Sequence, residues 1–326
     1  MNGDHMKEIV TVTGTIRPDE LGFCQCHEHI AMRKGVSARL NPALCIDDYD
    51  RSLEEVKLFR RSGGDSFVEA QPCGCCRDAL WLKDISAQSG VNIIASTGFH
   101  KMSFYPEDHW IKSISAAGLS EIFDRELNDG MFEDGDFAEL PQKQTDVRAG
   151  LIKTAYDSEE LTDRYKKLFR AAAMSAVRTG RCIMIHVELQ TDPRPLQEYL
   201  LELGVPAQDL MFCHMDRACR DIAMHKAILQ NGSYLEYDTI GRFKYHSDEY
   251  ETEIFRSVAD AGYEDRLLYS LDTTRSRLKA YDENAIGLDY ILKVFNKELC
   301  NAGFSDEDIR KFSVENPRRF FAGPVR

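Results

Sequence analysis

The sequence has no apolar run approaching the ~20 residues needed to cross a bilayer, which argues against a helical membrane protein. Nor do cations dominate: 41 Lys and Arg against 54 Asp and Glu give a net charge of −13. Nucleic acids and anionic membrane surfaces need clustered basic side chains, so neither is an expected partner. No Gly-x-Gly-x-x-Gly follows the first strand-like run, which disfavours a doubly wound dinucleotide-binding sheet. No low-complexity tract, charge block, Pro/Gly/Ser linker or short repeat divides the chain. The start, Met1-Asn2-Gly3-Asp4-His5, has no signal-peptide core. The ten cysteines lack the framework of a small disulfide-stapled domain. These absences lead us to expect a soluble protein of the reducing cytoplasm.

What is present is alternation. At 326 residues and 43% hydrophobic, the chain can bury a large core. Short strand-like runs at 21–26, 66–69, 91–96, 149–154, 182–186, 210–213, 234–237 and 267–271 are interleaved with helical patterns at 52–61, 158–179, 195–203, 220–230, 249–261 and 288–302. Strand–helix alternation implies a parallel sheet, and eight units in this length predict a (β/α)8 TIM barrel in one domain. The long stretch 97–147, rich in Asp, Glu, Phe and Gly, reads as an inserted lid or substrate loop.

In such a barrel the C-terminal strand ends open on one face, and that face holds the active site. His27-Glu28-His29 closes the first strand run, and residues two apart on a strand share a side, so both imidazoles can meet one metal ion. Lys153 lies in the fourth run, His186 and His214 end the fifth and sixth, and Asp272 ends the eighth. Taken singly, each has a plain explanation: a satisfied polar strand end, an edge charge, a helix cap. Coincidence at one face of five strands is what points to a two-metal hydrolase centre.

This ordered set resembles the phosphotriesterase-like branch of the amidohydrolase superfamily. The likeness runs from Val12-Thr13-Gly14-Thr15-Ile16-Arg17-Pro18 to Glu315-Asn316-Pro317-Arg318-Arg319-Phe320-Phe321. It implies that His27, His29 and Asp272 bind a more buried metal and that His186 and His214 bind a more exposed one. Lys153, carboxylated by carbon dioxide, would bridge them. Desolvation on an apolar strand disfavours the ammonium, and the neutral amine can then form a carbamate. Hydroxide bridging two cations would be the nucleophile, with Asp272 taking its proton to the leaving group. The mixed N/O donor set suits zinc, with manganese, cobalt or iron as substitutes.

The other histidines rank lower. His5 reads as tail, His109 and His246 as solvated loop residues, and His225 as part of a helix face. His100, at the end of the third strand, is a pocket candidate, together with Tyr105. Cys24 and Cys26 have parity opposite to His27 and His29 and should point outward under the helices. Cys73-Gly74-Cys75-Cys76 follows the second strand, but adjacent cysteines chelate one metal poorly. Glu69 and Gln71 read as pocket or supporting groups, and Arg77-Asp78 as the opening of the next helix.

The loops after strands seven and eight carry Arg242, Lys244, Arg275 and Arg277. Cations beside a metal site in an acidic protein suggest an anionic substrate; the plainer reading pairs some with Asp238, Asp248 or Asp282. The arrangement is similar to that of lactonases of this family acting on phosphorylated sugar lactones, and it implies that Lys244 and Arg275 hold a phosphate. Phosphotriester hydrolysis is the alternative, an amidase is a third reading, and a non-catalytic metal-binding barrel a fourth. The family resemblance also suggests a homodimer.

Overall fold

The computed structural model describes residues 7–323; His5 lies outside them. Eight parallel strands form one sheet: β1 (Cys24–Glu28), β2 (Ser66–Glu69), β3 (Asn92–Gly98), β4 (Leu151–Tyr156), β5 (Ile183–Val187), β6 (Leu210–Cys213), β7 (Tyr234–Tyr237) and β8 (Leu267–Tyr269). The sheet curls until its ends meet, the Asp272 amide donating to the His27 carbonyl at 3.0 Å. Helices alternate with the strands: α1 (Tyr49–Arg61), α2 (Ala79–Ser89), α3 (Ala116–Asn128), α4 (Asp163–Thr179), α5 (Arg194–Glu202), α6 (Ile222–Gln230), α7 (Asp248–Ala259) and α8 (Asn296–Asn301). This is the (β/α)8 barrel that the alternation predicted. A short antiparallel hairpin, Ile9–Thr11 with Gly14–Ile16, precedes it. No described helix is long and apolar enough to cross a membrane.

The strands are apolar on both faces because both faces are covered. Phe67, Ile93, Ile152, Ile183, Ile185, Phe212 and Leu235 pack outward against the helices. The alternate set, including Val68, Ile94, Leu151, Met184, Met211, Tyr234 and Leu268, fills the barrel interior. Phe320 and Phe321 join this inner core, with the Phe320 ring 5.1 Å from that of Tyr234. Each fully buried Leu, Ile or Phe contributes roughly 1.5–3 kcal/mol.

Strand β1 departs from simple alternation. Cys24 pairs with Ser66 and Gln25 with Phe67, but Glu28 pairs with Glu69, so a bulge lies between Gln25 and Glu28. The extra residue resets the parity. Cys24 and Cys26 therefore belong to the inner core and not beneath the helices, as strict alternation predicted. Gln25 points the other way, donating to the Leu288 carbonyl at 2.9 Å. Beyond the bulge, His27 and His29 turn inward as well.

The 97–147 stretch is more than a loop. Its middle is α3, the helix that the third barrel unit requires, capped by Ser115, whose hydroxyl accepts the Gly118 amide at 3.2 Å. Glu126 on its inner face pairs with the buried Arg77 guanidinium and accepts from Thr97 Oγ1 at 2.6 Å. The loop character is confined to the flanks of α3. Arg77 thus ties β3 to α3, while Asp78 caps α2, accepting the Trp81 amide at 3.0 Å. Gly98 (φ 98°) ends β3 where a Cβ would lie 1.9 Å from the Lys153 carbonyl, so only glycine lets the lysine strand approach this closely.

Candidate metal centre

All six predicted ligands converge at the C-terminal mouth of the barrel, and all are buried. His27 is on β1 and His29 one residue past it; Lys153 and His186 are on β4 and β5; His214 and Asp272 follow β6 and β8. His27, His29 and Asp272 form one cluster, with Asp272 Oδ1 lying 3.7 Å from His27 Nε2 and 3.6 Å from His29 Nε2. His186 Nδ1 and His214 Nε2 form a second pair, 2.8 Å apart. Lys153 Nζ lies 3.2 Å from His27 Nε2. His214 (φ 62°) and Asp272 (φ 47°) both adopt left-handed backbone. Such conformations in non-glycine residues cost on the order of 1–3 kcal/mol and concentrate where function needs a side chain aimed.

Carboxylates set the outward nitrogens. His29 Nδ1 faces Glu69 Oε1 at 3.1 Å, and Glu69 Oε2 also accepts the Ile30 amide at 2.7 Å. His214 Nδ1 faces Asp238 Oδ1 at 2.6 Å. His27 Nδ1 lies 3.2 Å from Asp238 Oδ2 and 3.4 Å from Glu236 Oε2. A carboxylate behind the ring favours the tautomer whose free Nε2 lone pair points into the site, the support that metal-bound imidazoles use. Glu236 has no role in the sequence reading, and Asp238, expected there as a possible partner of the loop cations, instead backs His214 and His27, although two carboxylates at strand spacing on the seventh strand are a legible signal.

Burial pushes the imidazoles of His27, His214 and His186 below their ordinary value, the last to about 4, so they are neutral, as ligation requires. Burial pushes the Asp272 carboxyl up, but the guanidiniums of Arg242 and Arg217, with His29, outweigh it and hold the group below its usual value. Lys153 is fully buried, with Met184 Sδ 3.3 Å from Nζ and no carboxylate within ion-pair distance among the described residues. Neutral imidazoles, an ionised aspartate and a lysine lacking a counter-charge fit a site for divalent cations.

One pocket collects His27, His29, His186, His214 and Asp272 with Gln71, His100, Phe104, Lys101, Arg217, Arg242, Lys244 and Tyr245. His100 is where the sequence put it, stacked on Phe104 with centroids 4.4 Å apart. Tyr105 does not line the pocket; its hydroxyl accepts the His100 amide at 2.9 Å and donates to the Cys73 carbonyl at 3.1 Å, bracing that loop. The four loop cations separate. Arg242 pairs with Asp272 Oδ2 at 3.1 Å. Arg277 is spent on the carbonyls of Ile240 (2.7 Å), Gly241 (3.1 Å) and Leu271 (3.2 Å). Arg275 does not line the pocket: it pairs with Asp47 at 3.0 Å and donates to the Cys45 carbonyl at 3.1 Å. Lys244 alone of the four lines the pocket without a carboxylate in ion-pair range among the described residues, its Nζ 4.7 Å from the Tyr245 ring centre.

Arg217 went unrecognised in the sequence. It follows His214 by three residues, one helical turn, and donates to Tyr245 Oη at 3.1 Å. His109 and His246 are not solvated: His109 Nε2 bonds the Gly135 carbonyl at 2.9 Å, and the His246 side chain is only 6% exposed. His225, on α6, is buried against Tyr237 Oη at 2.8 Å. The Cys73–Cys76 run joins none of the described metal-binding clusters, and burial pushes its thiols up, away from the thiolate form.

The sequence profile of the Phosphotriesterase family matches residues 7–321. A phospho-furanose lactonase of Mycoplasmopsis synoviae is 26% identical over 96% of this chain and 91% of its own length. An N-acetyltaurine hydrolase of Xenopus tropicalis is 27% identical over 96% and 97%. The crystal structure of the Escherichia coli phosphotriesterase homology protein, complexed with phosphate in its active site, superposes with a TM-score of 0.83 at 28% identity, covering 93% of this chain and 99% of that one. The barrel, the converging imidazoles and a profile match along nearly the whole chain lead to one conclusion: this protein is a hydrolase of the phosphotriesterase family.

Proposed function

We propose that the protein opens the ring of a small phosphorylated sugar lactone of the pentonolactone or furanose type. The observation that carries this reading is Lys244, a cation without an ion-pair partner among the described residues, which lines the same pocket as Arg217, Arg242 and the histidine and aspartate cluster. A phosphate gripped there at the far end of a five-carbon lactone leaves the ester carbonyl over the cluster. The names of the lactonase relative and of the phosphate-bound neighbour support the same class of substrate.

His27, His29 and Asp272 would hold one divalent ion of the zinc class, and His186 and His214 a second, with Lys153 between them as a carbamate. These ions would polarise the carbonyl and make water acidic enough to attack near neutral pH. Asp272 Oδ1 faces both His27 and His29, so it can take the attacking water's proton and return it to the departing ring oxygen. Arg242 on Asp272 Oδ2 keeps that carboxylate ionised between turnovers. His100 and Phe104 form an apolar-faced side wall for the ring. The free state of all ten thiols fits a reducing cytoplasm.

The test is kcat/KM for matched pentonolactones with and without a 5-phosphate, using metal-loaded protein and a pH indicator, with N-acetyltaurine as the amide control. A preference of about a hundredfold, equivalent to about 2.7 kcal/mol, is expected for the phosphorylated lactone. Lys244→Ala should reduce that preference by about tenfold, a charge-assisted hydrogen bond being worth about 1.5–3 kcal/mol. Equal rates with and without phosphate, or turnover of the amide alone, would overturn the assignment.

A further inference from the structure

A second group of metal-ligating side chains lies outside the pocket, where the turn after β6, the loop after β7 and helix α7 meet. Asp216, His246 and Glu251 each offer one donor atom there, all within 4.8 Å of one another. None of the three lines the pocket. Glu251 is fully buried, and among the described residues neither of its carboxylate oxygens has a hydrogen-bond partner. His246 Nε2 is 3.2 Å from Oε2 but is already engaged by Thr239 Oγ1 at 3.0 Å. Asp216 accepts the Thr239 amide at 2.6 Å and the Arg217 amide at 2.9 Å. Asp248, also buried, stands close by, accepting from the Gly241 amide at 2.7 Å and Tyr290 Oη at 2.8 Å.

Two buried carboxylates, Asp216 and Glu251, thus share one imidazole with a third, Asp248, nearby, and among the described residues no Lys or Arg comes within ion-pair distance of any of the three. Buried charge of one sign needs a counter-ion or a proton. Burial first, and then Asp216, Asp248 and Asp238, push the Glu251 carboxyl well above its ordinary value, which measures the same crowding. Two carboxylates and an imidazole at this spacing can each reach a central ion at about 2.0–2.2 Å with small side-chain shifts.

We propose that Asp216, His246 and Glu251 bind a single divalent cation of the zinc class, distinct from the pocket centre and structural in role. The ion clamps the loop after β7 at both ends, at Thr239 through Asp216 and at His246 directly. Arg242, Lys244 and Tyr245 lie between those two anchors, and Arg217 is the residue after Asp216. Occupancy therefore fixes the pocket's cationic wall from behind.

The experiment is metal content by plasma mass spectrometry after zinc loading and gel filtration, with thermal unfolding on the same samples. Glu251→Gln, nearly isosteric, should carry one equivalent fewer than the wild-type protein and lose zinc-dependent gain in Tm. His246→Gln, at a less buried position, should lose the same equivalent and serves if Glu251→Gln does not fold. Combined with His186→Asn, the loss should add to that of the pocket variant, because the two sites are separate. Unchanged content in Glu251→Gln and His246→Gln would overturn the proposal and make Glu251 a buried neutral acid. A double variant losing no more than His186→Asn alone would overturn it too, since the ion counted would then belong to the pocket.

Discussion

The imidazoles at the strand ends and the cations on the loops above them stand at one mouth of the barrel, yet they are held in opposite ways. All four clustered histidines have a carboxylate within ion-pair distance of the outer ring nitrogen, Glu69 for His29, Asp238 for both His27 and His214, and Glu188 for His186. Their positions follow from strand register, so the sheet itself aims them. The loop cations have no such frame. Arg277 is tied to backbone carbonyls, Arg275 to Asp47 and Arg242 to Asp272, while Lys244 is left facing the pocket. Neighbours in sequence, they divide into supporting struts and one open charge. A rigid centre with an adjustable rim suits a family whose members share a reaction type and differ in substrate.

The sharpest way to break this contrast is Asp272→Asn, which removes a carboxylate that belongs to both regions. Its kcat should fall about 10³-fold, within the range of lost general acid–base groups, measured at saturating substrate in metal-loaded protein. A drop of less than tenfold would mean that proton transfer is carried elsewhere.

The centre's buried neutral imidazoles predict an acid weakness in metal-free protein. His186 is held at about 4 against an ordinary 6.5, so the unfolded chain takes its proton first as pH falls. This contribution is fully present above pH 6.5 and is lost as pH drops toward 4. It amounts to about 2 kcal/mol between pH 7 and 5. Urea midpoints of wild type and His186→Asn, taken at both pH values, isolate it: the variant should lose about that much less. Identical pH dependence would mean that the ring is solvated.

Smaller effects should follow from the carboxylates behind the rings. Glu69→Gln and Asp238→Asn are each expected to weaken metal binding by about 10–100-fold, read by chelator competition. The rim gives the smallest changes and the finest discrimination. Lys244→Ala should cost about tenfold in kcat/KM on a phosphorylated lactone and little on its unphosphorylated match. Arg275→Ala should stay within about twofold, because its partner Asp47 is half-exposed and such pairs contribute little. Reversal of that pair of results would return the anion grip to Arg275.

The eight strands were legible because parallel strands covered on both faces must be short and apolar, and turn residues bound them. The six ligand-type residues were legible because strand ends in a barrel face one mouth. What failed did so for identifiable reasons. Alternation cannot announce a bulge, so Cys24 and Cys26 were assigned to the wrong face. Composition suggested a lid at 97–147 where the third barrel helix, Ala116–Asn128, sits in its middle. His109 and His246 read as solvated because their neighbours are polar, but His109 is buried against the Gly135 carbonyl and the His246 side chain, between Thr239 and Glu251, is only 6% exposed.

The sequence by itself determined the barrel and the ring of histidines, lysine and aspartate at its mouth, since both follow from periodicities of the local backbone. Tertiary structure alone decided which carboxylate backs which imidazole, which guanidinium is a strut, and that Asp216, His246 and Glu251 come together. Those outcomes depend on contacts between residues tens to hundreds of positions apart, such as Arg275 with Asp47, and no local pattern encodes the partner of a side chain on a loop.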